Sequence, residues 1–194
     1  VVGCPSRGDD AATMLRTLAA LAKVDGRVSI FLEPIALYMT KDLHEAGDGG
    51  WLTTYPAQDE AMVLGEGRIY DESADDLVIF TYGNGVPMSL RAARSIEAQH
   101  GWKVRVVDLR WLVPLNEAFI AEQAKSAKRI LIVDEGRHSA GVGEGVITAI
   151  AEAGFGGRPF QRVVGVDTYT PLAGAALLVL PGDDDIVTAA DRLA

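Results

Sequence analysis

The sequence predicts an α/β protein in which a mostly parallel sheet is covered by helices on both faces. Short apolar runs alternate along the chain with segments whose apolar residues recur at helical spacing. The clearest unit spans residues 128–147, where the run Ile130–Val133 is bounded by charge and is followed by a glycine-rich loop and a helical pattern from Val142. A run this short suits a strand rather than a buried helix. Strand, loop and helix in this order are typical of a parallel sheet with right-handed crossovers.

The first 40 residues are predicted to form a β-α-β unit. Residues 1–5 have the pattern of a strand end, and residues 6–10 are predicted to be a turn with helix-capping side chains. Apolar residues at helical spacing then predict a helix over residues 11–23, closed by a glycine turn. A second strand is predicted over residues 28–32.

Residues 41–62 are polar and glycine-rich and have no helical or strand periodicity. A long irregular connection in a compact chain is typical of a functional segment or a linker. We therefore place a domain boundary here, with an incomplete first domain at residues 1–40 and a second domain at residues 63–194.

The second domain is predicted to alternate strands and helices. Its predicted elements are an edge strand or hairpin arm at 65–70, strands at 77–82, 103–108, 130–133 and 161–166, and helices at 86–99, 116–127, from 142, and 184–193. Asn116 is the expected cap of the second of these helices.

Composition and charge exclude several classes of function. The net charge of −9 argues against nucleic acid as the main partner, because phosphate binding depends on Lys and Arg. One cysteine and three scattered histidines leave neither a disulfide nor a zinc ligand cluster, which fits a reducing, cytoplasmic setting. No apolar run is long enough to span a membrane. The chain begins Val-Val-Gly without an initiator methionine, and we interpret this start as a cut through a longer protein.

Two glycine motifs invite a cofactor interpretation that their context does not support. The loop Gly141–Gly145 departs from the dinucleotide spacing G-x-G-x-x-G, and Glu144 lies where an anion would be repelled. We therefore favour close helix–strand packing, with a nucleotide-binding module as an alternative. The triplet Gly47-Asp48-Gly49 resembles the start of a magnesium–thiamine motif, but its asparagine pair is absent, and we interpret it as loop composition.

Charged residues at the end of the 130–133 strand are better candidates for recognition. Asp134 and Glu135 are followed by Arg137 and His138, and the carboxyl ends of parallel strands are where ligands and partners bind. A histidine there could also transfer a proton near neutral pH, although an exposed histidine without a role is the simpler interpretation. Cys4 precedes a proline at a strand end and is expected to pack rather than to act as a nucleophile.

Several segments occur together in the order and spacing of a known family. They are Val1-Val2-Gly3-Cys4-Pro5, Phe31-Leu32-Glu33-Pro34, Leu37-Tyr38, Thr81-Tyr82-Gly83, the block Val107 to Asn116, Val133-Asp134-Glu135, and the block Gly165 to Pro171. They resemble the β subunit of 2-oxo acid dehydrogenase E1 components, in the transketolase-type superfamily. The resemblance covers nearly the whole chain, and its Asp-Leu-Arg and Gly-x-Asp-Thr blocks are specific together.

The resemblance implies both a fold and a function. Residues 1–40 resemble the last third of a pyrimidine-binding domain, and residues 63–194 resemble the three-layer transketolase C-terminal domain. The family enzyme decarboxylates a 2-oxo acid on thiamine diphosphate, held with magnesium, and acylates the lipoyl group of an E2 acyltransferase. Its thiamine-binding glutamate and catalytic histidine lie upstream of Val1, so no catalytic or cofactor-binding residue is expected here, and the chain alone is expected to be inactive. The implied partners are an E1 α subunit or α-like half, a second β copy, and E2.

The same resemblance implies one metal site. E1 β subunits often hold potassium through backbone carbonyls at the end of the helix before the Glu-Pro strand. The matching positions here are Ala22, Lys23, Asp25 and Arg27. Carbonyl oxygens at a helix end suit a hard cation because their dipoles point outward.

The sequence also departs from the family pattern. Ile35 stands where a basic residue is usual, the segment from Thr40 to Met62 is long, and residues 136–143 differ from the usual loop. These changes suit a form with fused α and β parts.

We expect the domain to serve subunit assembly and E2 docking, with Glu135, Arg137 and His138 as docking residues. A transketolase-type enzyme acting on sugar phosphates is the alternative; it would need the arginines at 91, 94, 105 and 110 to form a phosphate site.

Overall fold

The computed structural model describes residues 1–194. Its helices and strands are, in chain order, β1 (Val2–Gly3), α1 (Gly8–Val24), β2 (Ile30–Phe31), β3 (Arg68–Tyr70), β4 (Leu77–Thr81), α2 (Gly85–His100), β5 (Val104–Asp108), β6 (Trp111–Val113), α3 (Glu117–Lys125), β7 (Ile130–Arg137), α4 (Val142–Ile150), β8 (Phe160–Gly165) and α5 (Asp183–Asp191). Short helical turns occur at Ile35–Leu37, Ala151–Phe155 and Ala173–Leu178. None of the helices is both long and apolar enough to cross a membrane.

The main sheet has five strands in the order β3-β5-β4-β7-β8. β5, β4, β7 and β8 are mutually parallel, and β3 is antiparallel on the edge next to β5. The predicted mostly parallel sheet is therefore confirmed.

Alternation along the strands divides the core into two layers, one on each face of the sheet. Leu77 and Ile79 of β4 pack with α2 and α5, whereas Val78 and Phe80 lie on the opposite face with α3 and α4. All four side chains are fully buried, as expected for a parallel strand covered on both sides. The three-layer α/β architecture predicted from the sequence is thus present.

A second, three-stranded sheet joins the first unit to the segment that follows β5. β1 pairs in parallel with β2 and antiparallel with β6, in the order β2-β1-β6. The predicted β-α-β unit is present, but the strand β6 was not predicted. Its three residues lie in a stretch that we expected only to lead into α3, and its partner strand is more than a hundred residues away, so local periodicity gives no signal for it.

Residues 41–62, predicted to be an irregular connection, contain no strand or helix, yet they are packed along α1. The Thr17 hydroxyl donates to the Met62 carbonyl at 2.5 Å, and Arg16 donates to the Glu60 carbonyl at 2.7 Å. The buried Trp51 donates through its indole N–H to the Ser6 carbonyl at 3.2 Å. Burial and hydrogen bonds therefore fix this segment to the first unit.

Several predicted boundaries were wrong. α1 begins at Gly8 rather than residue 11, and its cap position, Arg7, makes no side-chain capping bond. The strand predicted over 28–32 is reduced to Ile30–Phe31, because only these residues pair with the short β1. β7 continues to Arg137 rather than ending at residue 133, since a bulge lets it keep pairing with β8 through the predicted loop.

The left-handed residue that ends α2 allows a direct test of the helix boundary. Gly101 has φ +68°, and a Cβ there would meet no atom within 4 Å. Gly101→Ala should therefore lower the free energy of unfolding by about 1 kcal/mol through backbone strain alone. Gly157→Ala is the matched control, because that position is equally open and has no positive φ. Urea unfolding of both variants measures the difference, and equal stabilities would contradict the assigned helix end.

Candidate functional site at the carboxyl edge of the sheet

The carboxyl ends of β4, β5, β7 and β8 meet at one edge of the main sheet because these strands are parallel. Polar residues cluster there, including Asp108 at the end of β5, Tyr82 after β4, and Asp134 within β7. This edge is where open α/β sheets bind ligands and partners. In this chain the half formed by β5 and β4 faces the first unit, and the half formed by β7 and β8 faces outward.

Asp108 lies at the centre of the first half and is completely buried. The Ser6 hydroxyl donates to its Oδ2 at 2.5 Å, and the Arg110 backbone N–H donates to its Oδ1 at 3.1 Å. Burial raises the pKa of Asp108 to about 7, although the Ser6 hydrogen bond and the Arg110 charge act in the opposite direction. A carboxyl group of the main sheet is thus joined directly to the turn after β1.

Beside Asp108, two arginines and two aspartates form a cluster that we call the Asp10–Arg110 latch (Asp9, Asp10, Arg68 and Arg110). Arg110 binds Asp10 through two hydrogen bonds of 2.6 and 3.2 Å. Arg68 lies 3.0 Å from Asp10 and 2.9 Å from Asp9. The latch connects α1 with β3 and with the turn between β5 and β6.

Burial and pairing act differently on the two latch carboxylates. Burial raises the pKa of Asp10, and the charges of Arg110 and Arg68 only partly oppose it. Burial has the same tendency at Asp9, but the hydrogen bond and charge of Arg68 outweigh it and lower the pKa of Asp9. This half of the edge is therefore an internal contact surface held by paired charges.

Cys4 also lies in this contact surface, where it is buried against the main core. Burial, reinforced by the negative charges of Asp108 and Glu135, raises the pKa of the thiol to about 12. The thiol is therefore neutral at physiological pH, and a neutral thiol is a poor nucleophile. This environment agrees with the packing role expected for Cys4.

Asp134 organises the second half of the edge, and it is buried. Its Oδ1 accepts the Tyr82 hydroxyl at 2.6 Å and the Gly136 N–H at 2.8 Å, while its Oδ2 accepts the Gly143 N–H at 2.8 Å. Burial and the bond to Asp134 together raise the pKa of Tyr82. The carboxylate thus ties β4, β7 and the start of α4 together.

The glycines of this loop are needed because the chain folds closely around Asp134. A Cβ at Gly141 would lie 2.6 Å from Asp134 Oδ2, and one at Gly136 would lie 2.8 Å from Oδ1. A Cβ at Gly143 would lie 3.0 Å from the Ile132 side chain. The carboxylate also occupies the start of α4, where a dinucleotide phosphate would bind. These contacts support the packing interpretation over the nucleotide-binding alternative.

The three predicted docking residues are not equivalent. Glu135 is half-buried and accepts a hydrogen bond of 2.8 Å from the Asn84 side chain. Arg137 and His138 are exposed, and the Arg137 guanidinium makes no hydrogen bond or ion pair within the chain. The structure therefore places only Arg137 and His138 at the surface, with Glu135 behind them.

Tertiary structure adds residues to this surface, which we call the β7–β8 rim (Arg137, His138, Ser139, Arg162 and Asp167). Arg162 of β8 lies 3.2 Å from His138 Nε2, and Asp167 accepts the N–H and hydroxyl of Ser139 at 2.9 and 2.6 Å. The Ser139 hydrogen bonds hold the pKa of Asp167 below its usual value. Asp167 belongs to the Gly-x-Asp-Thr block, so the sequence contained a signal for it, whereas Arg162 was missed because it is defined only by strand pairing.

The positions of the expected potassium site lie together at the exposed end of α1. The Leu21 carbonyl accepts the N–H groups of Asp25 and Arg27 at 3.1 and 3.2 Å, and no backbone N–H bonds the carbonyls of Ala22 and Lys23.

Potassium binding here stays a prediction. Anomalous scattering from a crystal soaked in rubidium should give a peak at this turn, and a crystal without that peak would remove the site.

The Gly-Asp-Gly triplet does not fit a magnesium site. The Asp48 carboxylate accepts the backbone N–H groups of Leu43, His44, Glu45 and Gly50 at 2.7–2.9 Å. These bonds hold the pKa of Asp48 well below its usual value. Its oxygens are therefore used in hydrogen bonds within the loop. This supports the interpretation that the triplet stabilises the loop and does not bind magnesium.

Comparison with known proteins gives the family. The model of the family "Transketolase, C-terminal domain" matches residues 65–184. This chain belongs to that family.

Two groups of relatives are named as E1 β subunits. The 3-methyl-2-oxobutanoate dehydrogenase subunit beta of Mycobacterium tuberculosis is 37% identical over 123 residues, which are 62% of this chain and 35% of the relative. The pyruvate dehydrogenase E1 component subunit beta of Staphylococcus aureus is 31% identical over 134 residues, 68% of this chain and 41% of the relative. The chain thus aligns with well under half the length of these relatives, and the predicted resemblance to E1 β subunits is confirmed.

A solved structure extends the match in fold to nearly the whole chain. A split-gene transketolase, described as an inactive beta4 tetramer, superposes with a TM-score of 0.70 and 23% identity over 99% of this chain and 56% of its own. At this identity the comparison concerns the fold, and it confirms the predicted fold class.

The buried carboxylate of Asp134 should be much more important for stability than the exposed carboxylate of the same loop. Asp134→Ala leaves one hydroxyl and two N–H donors without an acceptor, so we expect a loss of about 3 kcal/mol in the free energy of unfolding. Asp167→Ala removes a carboxylate that also accepts two bonds but is exposed, and should change stability by at most about 0.5 kcal/mol. Chemical denaturation compares them; similar losses would disprove the central role of Asp134.

The raised pKa of Asp108 predicts a specific dependence of stability on pH. The folded chain binds this proton up to about pH 7, whereas an unfolded aspartate releases it near its ordinary pKa of 3.8. The unfolding free energy should therefore fall by roughly 2–4 kcal/mol between these values, because the folded state binds more protons there.

Asp108→Asn should lack this dependence. When its unfolding free energy is subtracted from that of the unsubstituted chain at each pH, the difference should therefore fall between pH 4 and 7. The control is Asp76→Asn, because bonds from Lys103 and Lys128 lower the pKa of Asp76 and give a dependence of the opposite sign. A difference curve for Asp108→Asn that is flat from pH 4 to 7 would contradict the assignment.

Proposed function

We propose that this chain is the C-terminal part of a thiamine-diphosphate-dependent 2-oxo acid dehydrogenase E1, and that it serves subunit assembly and E2 docking. The intact enzyme would decarboxylate a 2-oxo acid and transfer the acyl group to the lipoyl group of E2. The names of the two groups of relatives support this activity. The three-part division into residues 1–40, 41–62 and 63–194 is proposed on the same basis.

One observation supports an assembly role for this chain in particular: its own side chains fill the carboxyl edge of the main sheet. Ser6 and Arg110 donate hydrogen bonds to the Asp108 carboxylate, and the loop glycines enclose the Asp134 carboxylate. Thiamine diphosphate, when bound, supplies the electron sink for decarboxylation. The buried carboxylates of this edge are committed to internal contacts, so we place cofactor, magnesium and reacting groups on other parts of the intact enzyme.

The β7–β8 rim is the proposed E2 docking surface. It lies on the outward half of the edge, and Arg137 offers a guanidinium with no partner in the chain. Arginine is well suited to paired contacts with carboxylates of another protein. An α subunit or α-like half and a second β copy are the other proposed partners, and the cytoplasm is the proposed location.

The alternative of a sugar-phosphate enzyme receives less support. Arg91 is paired with Asp183 at 2.6 Å, Arg110 belongs to the latch, and Arg105 is buried with bonds to Glu72 and Gln123. Of the four candidate arginines, only Arg94 has a side chain that makes no hydrogen bond or ion pair within the chain. A phosphate cluster would require these pairs to break.

Substitution in the rim should weaken E2 binding without unfolding the chain. In the intact E1, Arg137→Ala and His138→Ala together should lower E2 affinity at least tenfold, because a rim cation and its neighbour are removed. Arg94→Ala is the matched control, since Arg94 is an exposed, unpaired arginine on α2. A pull-down on lipoylated E2 measures binding; unchanged affinity in the double variant would overturn the docking assignment.

Substrate turnover tests the activity separately. The intact enzyme should consume a 2-oxo acid in an assay coupled to lipoyl acylation and leave a ketose phosphate unchanged. Turnover of the ketose phosphate instead would support the sugar-phosphate alternative.

A further inference from the structure

A cavity of about 560 Å³ lies at the carboxyl ends of β1 and β2, away from the β7–β8 rim. Its walls come from the turn between β1 and α1, from the residues after β2, and from Thr40 and residues 51–53. A cavity of this volume falls in the range typical of sites for small organic ligands. The segment that looked like a linker in the sequence therefore forms one wall of an open cavity.

Much of the cavity wall is apolar. Phe31 and Leu37 line the side that follows β2, and Trp51 and Leu52 line the opposite side. Trp51 is held in place by its hydrogen bond to the Ser6 carbonyl and is almost fully buried. Such walls favour the body of an apolar molecule by removing it from water.

One cation is fixed in this apolar setting. The Arg7 guanidinium lies 4.7 Å from the centre of the Trp51 ring, and its Nη2 donates to the Leu52 carbonyl at 3.1 Å. Nη1 makes no hydrogen bond within the chain. The nearest carboxylate, Asp9, is 3.8 Å from Nε and is itself bonded by Arg68. Arg7 is thus held in position by stacking while keeping donor capacity.

The charge pattern of the cavity limits the kind of anion it could hold. Glu33 also lines the wall, and its carboxylate accepts the Tyr38 hydroxyl at 2.5 Å. A second negative group on a ligand would meet this carboxylate, whereas a single carboxylate can pair with Arg7. An apolar body with one carboxylate matches both the walls and the charges.

We propose that this cavity is a binding site for a small organic monocarboxylate, with Arg7 pairing the carboxylate and Phe31, Leu37, Trp51 and Leu52 enclosing the apolar body. This site is separate from the β7–β8 rim. It gives the connecting segment a role in ligand recognition, because Trp51 and Leu52 belong to that segment. It does not depend on the proposed E1 activity.

Calorimetry on the 194-residue chain tests the proposal without cofactor or partner proteins. The probe is 4-methylpentanoate, compared with 4-methylpentanamide, which has a similar shape and no charge. The acid should bind, and the amide should bind at least about tenfold more weakly, because it cannot form the charged pair with Arg7. Absence of binding by the acid, or equal affinity for acid and amide, would overturn the proposal.

Three variants locate the site. Arg7→Gln should lower the affinity for the acid about tenfold, whereas Arg94→Gln, an exposed substitution on α2 away from the cavity, should leave it unchanged. Leu37→Asp provides a second test, because Leu37 is half-buried and lies in a short helical turn at the cavity wall. The new carboxylate should abolish binding of the acid by repelling its negative charge. Circular dichroism verifies that each variant is folded. Unchanged affinity in a folded Arg7→Gln or Leu37→Asp chain would place the ligand elsewhere and refute the site.

Discussion

The pairing of Asp10 with Arg110 is the contact on which the relation between the two parts of this molecule depends. Both side chains are buried, and they join α1 of the first unit to the turn that follows β5. A buried ion pair contributes little net stability compared with apolar packing, but a single partner left alone in the interior is strongly destabilising. The pair therefore favours one arrangement of the two sheets, because other arrangements would leave a buried charge without its partner.

Around this contact, the carboxyl edge of the main sheet is divided between two uses. Its inner half is closed by Ser6, Asp108 and the latch, and its outer half is shaped by Asp134 and ends in the exposed rim. In many α/β proteins the same edge binds a ligand. Here the chain satisfies those polar groups itself, so the surface left for other molecules lies at the rim and in the cavity beside β1 and β2.

The two buried carboxylates also show why residue type alone does not reveal a role. Asp108 is enclosed with few donors, and burial dominates its pKa. Asp134 is equally buried but accepts three hydrogen bonds, and it acts as the centre of a glycine loop. The sequence suggested Asp134 as part of a recognition site, whereas its contacts indicate a structural role that positions the neighbouring residues Arg137 and His138.

The sequence by itself determined the fold class, the alternation of strands and helices in the second domain, the β-α-β character of the first unit and the family. These features follow from periodicity of two or 3.6 residues and from short motifs, which are local properties of the chain. Tertiary structure alone decided the pairing of β6 with β1, the latch, the addition of Arg162 to the rim and the cavity wall at Trp51. Each depends on contacts between residues far apart in sequence, such as Ser6 and Asp108, which are 102 positions apart. Local sequence patterns contain no information on which distant residues come into contact.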